Sequence, residues 1–180
     1  GKDSILWKSS NLGSSYTSLH NFGNGNKVWR FEIARSNPSV LYVCATNGVY
    51  KTMDAGATWG KLTLPVSWLY YNSDLAVNPL NENEVYLCMA SGAAANKVFR
   101  SINGGSSWTN ITGTILNNKK VAFLQLQGGT RSGVYAITNS RPSKVYYKDT
   151  TMSDWTDFST GLPESLQARV GALLFYRDSK

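Results

Sequence analysis

A segment that recurs along the chain constrains the fold more than any other feature. The sequence KTMDAGATW at residues 51–59 returns as RSINGGSSW at residues 100–108, an offset of 49 residues between Trp59 and Trp108. A weaker copy, KSSNLGSSY, lies at residues 8–16, and a degenerate copy, KDTTMSDW, lies at residues 148–155. Self-similarity at a period of about 20–50 residues is typical of architectures in which each unit packs against the next. The chain is therefore predicted to contain four repeats of one structural unit.

Short β-rich runs keep the same order in every unit. An alternating run comes first, a run around a tyrosine (LYVCA, VYLCM, VYAIT) comes second, and a run such as VFRS comes third. The recurring segment then turns the third run into a fourth, which is expected to start at the tryptophan. The first strands are expected at residues 31–33, 75–77, 124–126 and 173–175. No helical periodicity competes, so the pattern predicts an all-β fold, a β-propeller segment of four-stranded antiparallel blades.

The repeat spacing also predicts the organisation of the chain as a single domain over residues 1–180. We expect about three complete blades at residues 28–64, 73–113 and 121–160, with partial blades at 1–20 and 170–180. The two partial blades could complete one another and close a four-bladed ring. However, the last segment, GALLFYRDSK, stops where a second strand should begin. We therefore favour a fragment of a larger propeller, whose remaining blades would be its partner.

Each fixed position of the recurring segment, S/T-x-D/N-x-G-x-S/T-W, has a local physical reason. Asp54 can accept hydrogen bonds from the turn that follows it, Gly56 can adopt a positive φ, and Thr58 can tie back to the loop. The fourth copy carries Thr150 and Met152 at the Asp and Gly positions, so a looser turn is expected there. The residues assigned to this structural role are Asn11, Gly13, Thr52, Asp54, Gly56, Thr58, Trp59, Ser101, Asn103, Gly105, Ser107, Trp108 and Trp155.

The segments TMDAGATW and SINGGSSW, together with the strands around them, resemble the BNR or Asp-box repeat family. The resemblance covers essentially the whole chain. Members of that family include sialidases, xyloglucan-cleaving glycoside hydrolases, sorting-receptor propellers and a photosystem II assembly factor. The resemblance implies a β-propeller and leaves the activity open. It also implies that the box lies on the outer rim, so Asp54 and Asn103 are expected to be structural rather than metal ligands.

The loops at the blade end opposite the boxes are the expected place for a ligand. The segment VSWLYYNSD at residues 66–74 puts three aromatic residues beside polar groups, an arrangement that suits sugar rings. The alternative is that these side chains cover the ends of two blades, and the same alternative applies to Trp29 and Arg30. The candidate ligand-binding residues are Trp29, Arg30, Trp68, Tyr70, Tyr71, Asp74 and Arg141.

Carboxylates are scarce at that end. A glycosidase needs two of them across the scissile bond, and only Asp74 and Glu32 lie near a first strand, the other acidic residues falling mostly in turn-like contexts. In xyloglucan-cleaving relatives a Thr-Asp pair follows the second strand, and the matching place here is Thr46-Asn47, which lacks the charge. The Arg-Ile-Pro motif of sialidases is absent. The catalytic residues are therefore unassigned, and those of a glycoside hydrolase would lie largely outside this segment.

Cysteine and histidine point to no metal or cofactor. Cys44 and Cys88 occupy equivalent second-strand positions that Ile137 fills in the next blade. Equivalent strands of neighbouring blades lie about 10 Å apart, too far for a disulfide, so free buried thiols are expected. His20 is the only histidine and is expected at the surface. No metal site and no cofactor are predicted.

The net charge of +7 carries no basic run longer than Lys119-Lys120, so nucleic acid is not an expected partner. No run reaches the roughly 20 apolar residues that a membrane span requires. Two functions stay open: an extracellular, periplasmic or cell-surface propeller that binds or processes glycans, and a non-enzymatic scaffold that binds a protein.

Overall fold

The computed structural model describes residues 4–66, 74–89, 97–127, 133–140 and 142–161. Within these ranges the chain forms fourteen β-strands and no α-helix. The strands are β1 (Ile5–Lys8), β2 (Thr17–Asn21), β3 (Val28–Ile33), β4 (Leu41–Ala45), β5 (Gly48–Thr52), β6 (Gly60–Lys61), β7 (Asp74–Asn78), β8 (Asn81–Met89), β9 (Lys97–Ser101), β10 (Thr109–Asn110), β11 (Val121–Leu126), β12 (Val134–Thr138), β13 (Val145–Lys148) and β14 (Thr156–Asp157).

Twelve of these strands form three antiparallel sheets of four, each in chain order: β3 to β6, β7 to β10 and β11 to β14. The remaining pair, β1 and β2, forms a two-stranded antiparallel sheet. The prediction of an all-β chain with four-stranded antiparallel units is confirmed. The partial blade expected at residues 170–180 lies outside the described residues.

The fourth strand of each sheet begins one residue later than expected. β6, β10 and β14 start at Gly60, Thr109 and Thr156, directly after the tryptophans. Before Trp59 and Trp108 the backbone still belongs to the turn, because the preceding residue is held there. The amide of Thr58, for example, donates to Oδ1 of Asp54 at 2.9 Å.

The second strand of a sheet is buried on both faces. In β4, Tyr42 and Cys44 pack toward the following sheet, whereas Val43 and Ala45 pack toward the two-stranded sheet. Successive side chains of a strand point to opposite faces. A strand covered on both sides therefore reads as a continuous apolar run such as LYVCA, in place of an alternating one.

Tryptophans of the recurring segments link each sheet to the one before it. The indole N–H of Trp108 donates to the carbonyl of Thr63 at 3.2 Å, and that of Trp155 donates to the carbonyl of Ile111 at 2.7 Å. The Trp59 ring instead packs against Phe22, just beyond β2, with centroids 5.4 Å apart. Each indole thus covers the outer part of the preceding sheet.

The first strands lie side by side at the opposite margin of the sheets. β7 packs between β3 and β11 although no ladder hydrogen bonds join the three strands. This inner row of first strands positions the charged residues described next.

Candidate functional site

An ion pair between the partly exposed Arg30 and the buried Asp74 ties the inner row of strands together. Arg30 of β3 lies opposite Cys44, and Asp74 of β7 lies opposite Cys88, so the two charges occupy the same register position in successive sheets. Nε of Arg30 is 3.3 Å from Oδ1 of Asp74. Oδ2 of Asp74 accepts the backbone N–H of Leu124 in β11 at 2.8 Å. One carboxylate therefore connects three sheets.

Asp74 is suited to hold structure rather than to exchange protons. The residue is 5% exposed, and both carboxylate oxygens face a donor. Burial raises the pKa of its carboxyl, while the Leu124 N–H and the Arg30 guanidinium pull that pKa down. The pKa of Asp74 is raised on balance, and the enclosed side chain orients Arg30.

Glu32 provides the accessible carboxylate of the cluster. It lies two residues from Arg30 on the same face of β3, and its Oε1 is 2.5 Å from Nη2 of Arg30. Its side chain remains 29% exposed. Burial raises the pKa of Glu32, Arg30 lowers it, and the negative charge of Asp74 raises it. Glu32 can therefore accept hydrogen bonds from a ligand while Arg30 keeps it in place.

Trp29 precedes Arg30 in β3 at a β-bulge between Val28 and Arg30, where the regular alternation of side chains is interrupted. Its ring is partly exposed, and the Lys27 ammonium lies 5.9 Å from the ring centroid. The structure thus brings Arg30, Glu32 and Asp74 together. The other candidate ligand-binding residues lie outside the described residues, and their role stays a prediction: Trp68, Tyr70, Tyr71 and Arg141.

The Thr46-Asn47 pair forms the turn between β4 and β5, beside the start of β3. The Thr46 hydroxyl accepts the Lys27 N–H at 3.0 Å, and the Thr46 N–H donates to the Lys27 carbonyl at 2.8 Å. Oδ1 of Asn47 is buried and has no hydrogen-bond partner among the described residues. The turn therefore presents a neutral amide near the inner row.

The boxes occupy the turns at the other end of the sheets. In the box of β5 and β6, the Thr52 hydroxyl donates to Oδ1 of Asp54 at 2.7 Å and accepts the Gly56 N–H at 3.0 Å. The Thr58 hydroxyl donates to Oδ2 of Asp54 at 2.6 Å. Hydrogen bonds from Thr58, then from Thr52, lower the pKa of Asp54 to about 2. Every oxygen of this carboxylate is used within its own turn.

Two further boxes repeat that pattern with an amide in place of the acid. Oδ1 of Asn103 accepts the Ser107 N–H at 2.8 Å, and the Ser101 hydroxyl accepts the Gly105 N–H at 2.8 Å. Oδ1 of Asn11 accepts the Ser15 N–H at 2.9 Å, and the Ser9 hydroxyl accepts the Gly13 N–H at 2.8 Å.

The degenerate fourth turn is built differently. Oδ1 of Asp149 accepts the amide and the hydroxyl of Thr151 at 2.8 and 2.7 Å. The ammonium of Lys148 donates to the carbonyl of Met152. The turn thus uses Asp149, one position earlier than the Asp or Asn of the other boxes. The Lys148 ammonium closes the turn in place of the glycine N–H.

One charged pair was missed: Glu84 is among the acidic residues that the sequence placed mostly in turn-like contexts. Glu84 instead lies within β8, is buried, and contacts Arg100, whose Nη2 is 2.6 Å from Oε1 of Glu84. The Tyr86 hydroxyl donates to the same oxygen at 3.0 Å. Glu84 lies two residues before the repeated Tyr86, so both side chains are on one face of β8. This spacing is the signal that could have identified Glu84 as a buried residue.

The cysteine prediction is confirmed: Cys44 and Cys88 are free and buried. Burial raises the pKa of both thiols. Among the described residues, no group of three or more His, Cys, Asp and Glu side chains could hold a metal ion. Within the same ranges, no helix has the length and hydropathy needed to cross a membrane.

Comparison with known proteins places this architecture among the β-propellers. No model of a known protein family matches the sequence. The chain is 26% identical to a xyloglucanase from Hypocrea jecorina (strain QM6a) over 160 residues. Its structure is similar to a GH74 enzyme from Niastella koreensis (TM-score 0.67, 20% identity, 85% of this chain) and to YCF48 bound to D1 peptide (TM-score 0.56, 15% identity, 72% of this chain). The predicted β-propeller fold is confirmed.

The chain spans only part of these proteins: 87% of it aligns with 18% of the xyloglucanase, and it covers 25% of the GH74 enzyme and 38% of YCF48. At these identities the solved structures show the fold alone. The resemblance to glycoside-hydrolase propellers is thus supported at a coarse level. The finer assignments to the BNR or Asp-box repeat and to sialidases stay predictions.

Proposed function

We propose that the chain is part of a propeller that binds a β-glucan polysaccharide of the xyloglucan type through the inner row of first strands. The observation that carries the proposal is the position of the Glu32 carboxylate. It is partly exposed and pairs with Arg30, which also pairs with the buried Asp74. The sequence similarity to a xyloglucanase supports a polysaccharide as the ligand class.

The chemistry of the cluster suits recognition of sugar hydroxyls. An ionised carboxylate accepts short, charge-assisted hydrogen bonds from hydroxyl groups, and such bonds contribute about 1.5–3 kcal/mol each. Arg30 holds Glu32 in one position, so less conformational entropy is lost when a ligand binds. Trp29 supplies an exposed indole on the same strand, where a pyranose ring could stack.

The same cluster argues for binding rather than hydrolysis by this segment. Glycoside hydrolysis uses two carboxyl groups that can reach the scissile bond from either side. In the described part of the inner row, Glu32 is accessible, but Asp74 is enclosed by Arg30 and the Leu124 amide. A hydrolytic centre would therefore need a second carboxylate from another part of a larger protein. That protein would act outside the cell or at its surface.

The proposal is tested by calorimetric titration of the chain with xyloglucan oligosaccharides, with cellulose oligosaccharides and an acidic peptide as competing ligands. We expect Glu32→Gln to weaken xyloglucan binding by roughly tenfold or more, because an ionised acceptor is lost. Trp29→Ala is expected to weaken binding through lost stacking.

Matched controls come from the same chain. Glu82→Gln removes a partly exposed carboxylate near the start of β8 that accepts a hydrogen bond from the Ser36 hydroxyl. Trp7→Ala removes an exposed indole of β1. Neither should change the affinity. Equal affinity of the Glu32 variant and its control would exclude this site, and binding of the acidic peptide alone would favour the protein-binding scaffold.

A further inference from the structure

A cavity of about 130 Å³ lies between the sheet β7–β10 and the sheet β11–β14, beside the degenerate box turn. Tyr86 and Val134, which are both buried, line its inner part, and the exposed Thr150 lines its outer part. The other residues around it are Arg100, Ile111, Lys148, Asp149 and Met152. We call this space the box cavity, and none of the three inner-row charges lines it.

At the preceding junctions between sheets, a box glycine occupies the corresponding place. A Cβ added to Gly56 would lie 2.7 Å from Cδ1 of Leu19, and one added to Gly105 would lie 2.5 Å from Cδ1 of Leu62. Each leucine comes three residues after the aromatic residue that ends the preceding box. Because glycine has no Cβ, the backbone of the turn can approach the leucine closely. The two intact turns therefore pack directly against the preceding sheet.

The degenerate turn cannot pack in this way, because Met152 stands at the glycine position. The residue that it faces across the cavity is Ile111, the counterpart of Leu62. The Leu62 N–H donates to the carbonyl of Val49 at 2.8 Å, and the Ile111 N–H donates to that of Val98 at the same distance. A methionine side chain holds the turn further from this residue than a glycine would. Loss of the glycine therefore opens the box cavity.

The repeated tyrosine also differs between these junctions. The Tyr42 hydroxyl reaches into the next sheet and donates to the Glu82 carbonyl of β8 at 2.9 Å. The Tyr86 hydroxyl donates at 3.0 Å to Oε1 of Glu84, which belongs to its own strand. Tyr42 thus helps to close its junction, whereas Tyr86 is held within its own sheet beside the cavity.

The charges around the box cavity balance one another. Arg100 pairs with the buried carboxylate of Glu84, whose Oε1 is 2.6 Å from Nη2 of Arg100. In the degenerate turn, Lys148 is followed by Asp149. Two cations and two carboxylates leave no net charge for a bound ion to neutralise, and enclosing an unpaired ion costs free energy. The cavity therefore favours a neutral ligand.

The side chains around the cavity supply hydrogen-bonding groups for such a ligand. The hydrogen bonds of the Arg100 side chain to described residues use Nε and Nη2, which leaves the N–H groups of Nη1 as donors. Asp149 and Thr150 add side-chain oxygens, which can accept hydrogen bonds. Hydroxyl groups both donate and accept, so a ligand that carries several hydroxyls matches this set.

The size and the apolar lining narrow the class of ligand further. An apolar cavity of about 150 Å³ can hold benzene, so the box cavity holds about one six-membered ring. Ile111, Val134, Met152 and the Tyr86 ring provide apolar surface that suits the C–H groups of a sugar. A six-membered ring with C–H faces and several hydroxyls is a pyranose.

We propose that the box cavity binds one pyranose residue of a glycan. The C–H groups of the sugar contact the apolar lining, and its hydroxyls bond Arg100 and the side-chain oxygens of the degenerate turn. The site is independent of the one proposed for the inner row, so either proposal can fail without the other.

The test follows the amide NMR spectrum of the full chain during titration with methyl β-xylopyranoside and methyl β-glucopyranoside. Sodium acetate tests for an anion site, and benzyl alcohol tests for a purely apolar one. We expect the pyranosides to cause saturable shifts of the amides of Arg100, Ile111 and residues 148–152. Glu32→Gln, which removes the inner-row carboxylate, should leave these shifts unchanged.

Substitutions at the cavity give the decisive comparison. Thr150→Trp blocks the outer part from an exposed position and should weaken pyranoside binding by roughly tenfold or more, whereas Met53→Trp, at an exposed position of an intact box, should not. Arg100→Lys keeps a cation for Glu84 but loses the planar guanidinium, so we expect binding weaker by about tenfold. Unshifted amides far from the cavity show that each variant folds.

Three results would overturn the proposal. The first is the absence of pyranoside-induced shifts around the cavity. The second is an equal affinity of Thr150→Trp and Met53→Trp for the pyranosides. The third is a set of shifts that acetate or benzyl alcohol causes at lower concentration than either pyranoside, which would assign the cavity to an anion or to an apolar group.

Discussion

Arg30 and Asp74 occupy the same register position in successive sheets, and their side chains meet 3.3 Å apart. The two strands that carry them share no ladder hydrogen bonds. The charge pair therefore supplies a side-chain contact between neighbouring first strands, which share no backbone pairing. The Leu124 N–H extends this contact to the third sheet.

Removing the negative charge from Asp74 should destabilise the chain. Asp74→Asn leaves the Arg30 guanidinium without its buried partner, so we expect a loss of about 1–3 kcal/mol in the free energy of unfolding, measured by urea denaturation. Asp157→Asn, which breaks the exposed pair with Lys144, is the control and should have little effect. Similar losses for the two variants would show that the inner pair has no special role.

The ionisation of Glu32 should make the stability of the chain decrease as the pH rises. Its folded-state pKa is raised, so the folded chain holds this proton to higher pH than the unfolded chain does. Compared with Glu32→Gln, the wild-type chain should lose stability as the pH rises from below the unfolded-state pKa through the folded-state pKa. Thermal unfolding of both proteins across this range measures the difference, and a difference that grows in the opposite direction would contradict the raised pKa.

The pKa of Asp54 predicts a pH dependence of stability that is opposite in sign to that of Glu32. Its pKa is lowered to about 2, so its contribution is present above the unfolded-state pKa and lost as the pH falls through about 2. Asp54→Asn should keep the turn, because Asn103 makes the same backbone contact in the next box. The melting temperatures of wild type and variant should therefore converge in acid. A constant gap between the two curves down to pH 2 would refute this account.

Close packing over the box glycines should be sensitive to a single methyl group. A Cβ on Gly105 would lie 2.5 Å from Cδ1 of Leu62, and Gly105 has a φ of +89°. Gly25, with a φ of +80° and open space around it, provides the matched control. Both changes to Ala incur backbone strain of about 1 kcal/mol, and Gly105→Ala should cost about 1 kcal/mol more, the low end for overpacking, because the clash involves the end of the partly exposed Leu62 side chain.

Leu62→Ala gives this comparison a second check. If the clash with Leu62 is the cause, the double variant Gly105→Ala with Leu62→Ala should be more stable than the sum of the single effects predicts. Additive effects in chemical denaturation would assign the cost of Gly105→Ala to the backbone alone.

The two thiols should be inert in the folded chain. Cys44 and Cys88 are buried, and burial raises their pKa, which suppresses the reactive thiolate. A thiol reagent such as Ellman's reagent should label them only after denaturation, at a rate that follows unfolding. Rapid labelling of the native protein would show that the second strands open to solvent.

The repeat spacing predicted the strand order and sheet composition because both follow from local signals: alternation, turn residues and the tryptophan after each turn. The free thiols were predicted from the equivalence of Cys44, Cys88 and Ile137. The Glu84–Arg100 pair was not, since it depends on which residues of β8 and β9 lie opposite one another across a buried face. The meeting of Arg30 with Asp74 likewise depends on packing between sheets that share no local sequence signal.

The tryptophan contacts give the array of sheets a direction. Trp108 and Trp155 each donate an N–H backward, to a carbonyl of the preceding sheet. The front and the back of a sheet are therefore chemically different surfaces, and successive sheets associate head to tail, like subunits joined by a heterologous interface. Such an interface always joins the front of one sheet to the back of another, so two identical faces do not pair. The sheets therefore follow one another in a fixed direction, just as residues do from the N-terminus to the C-terminus.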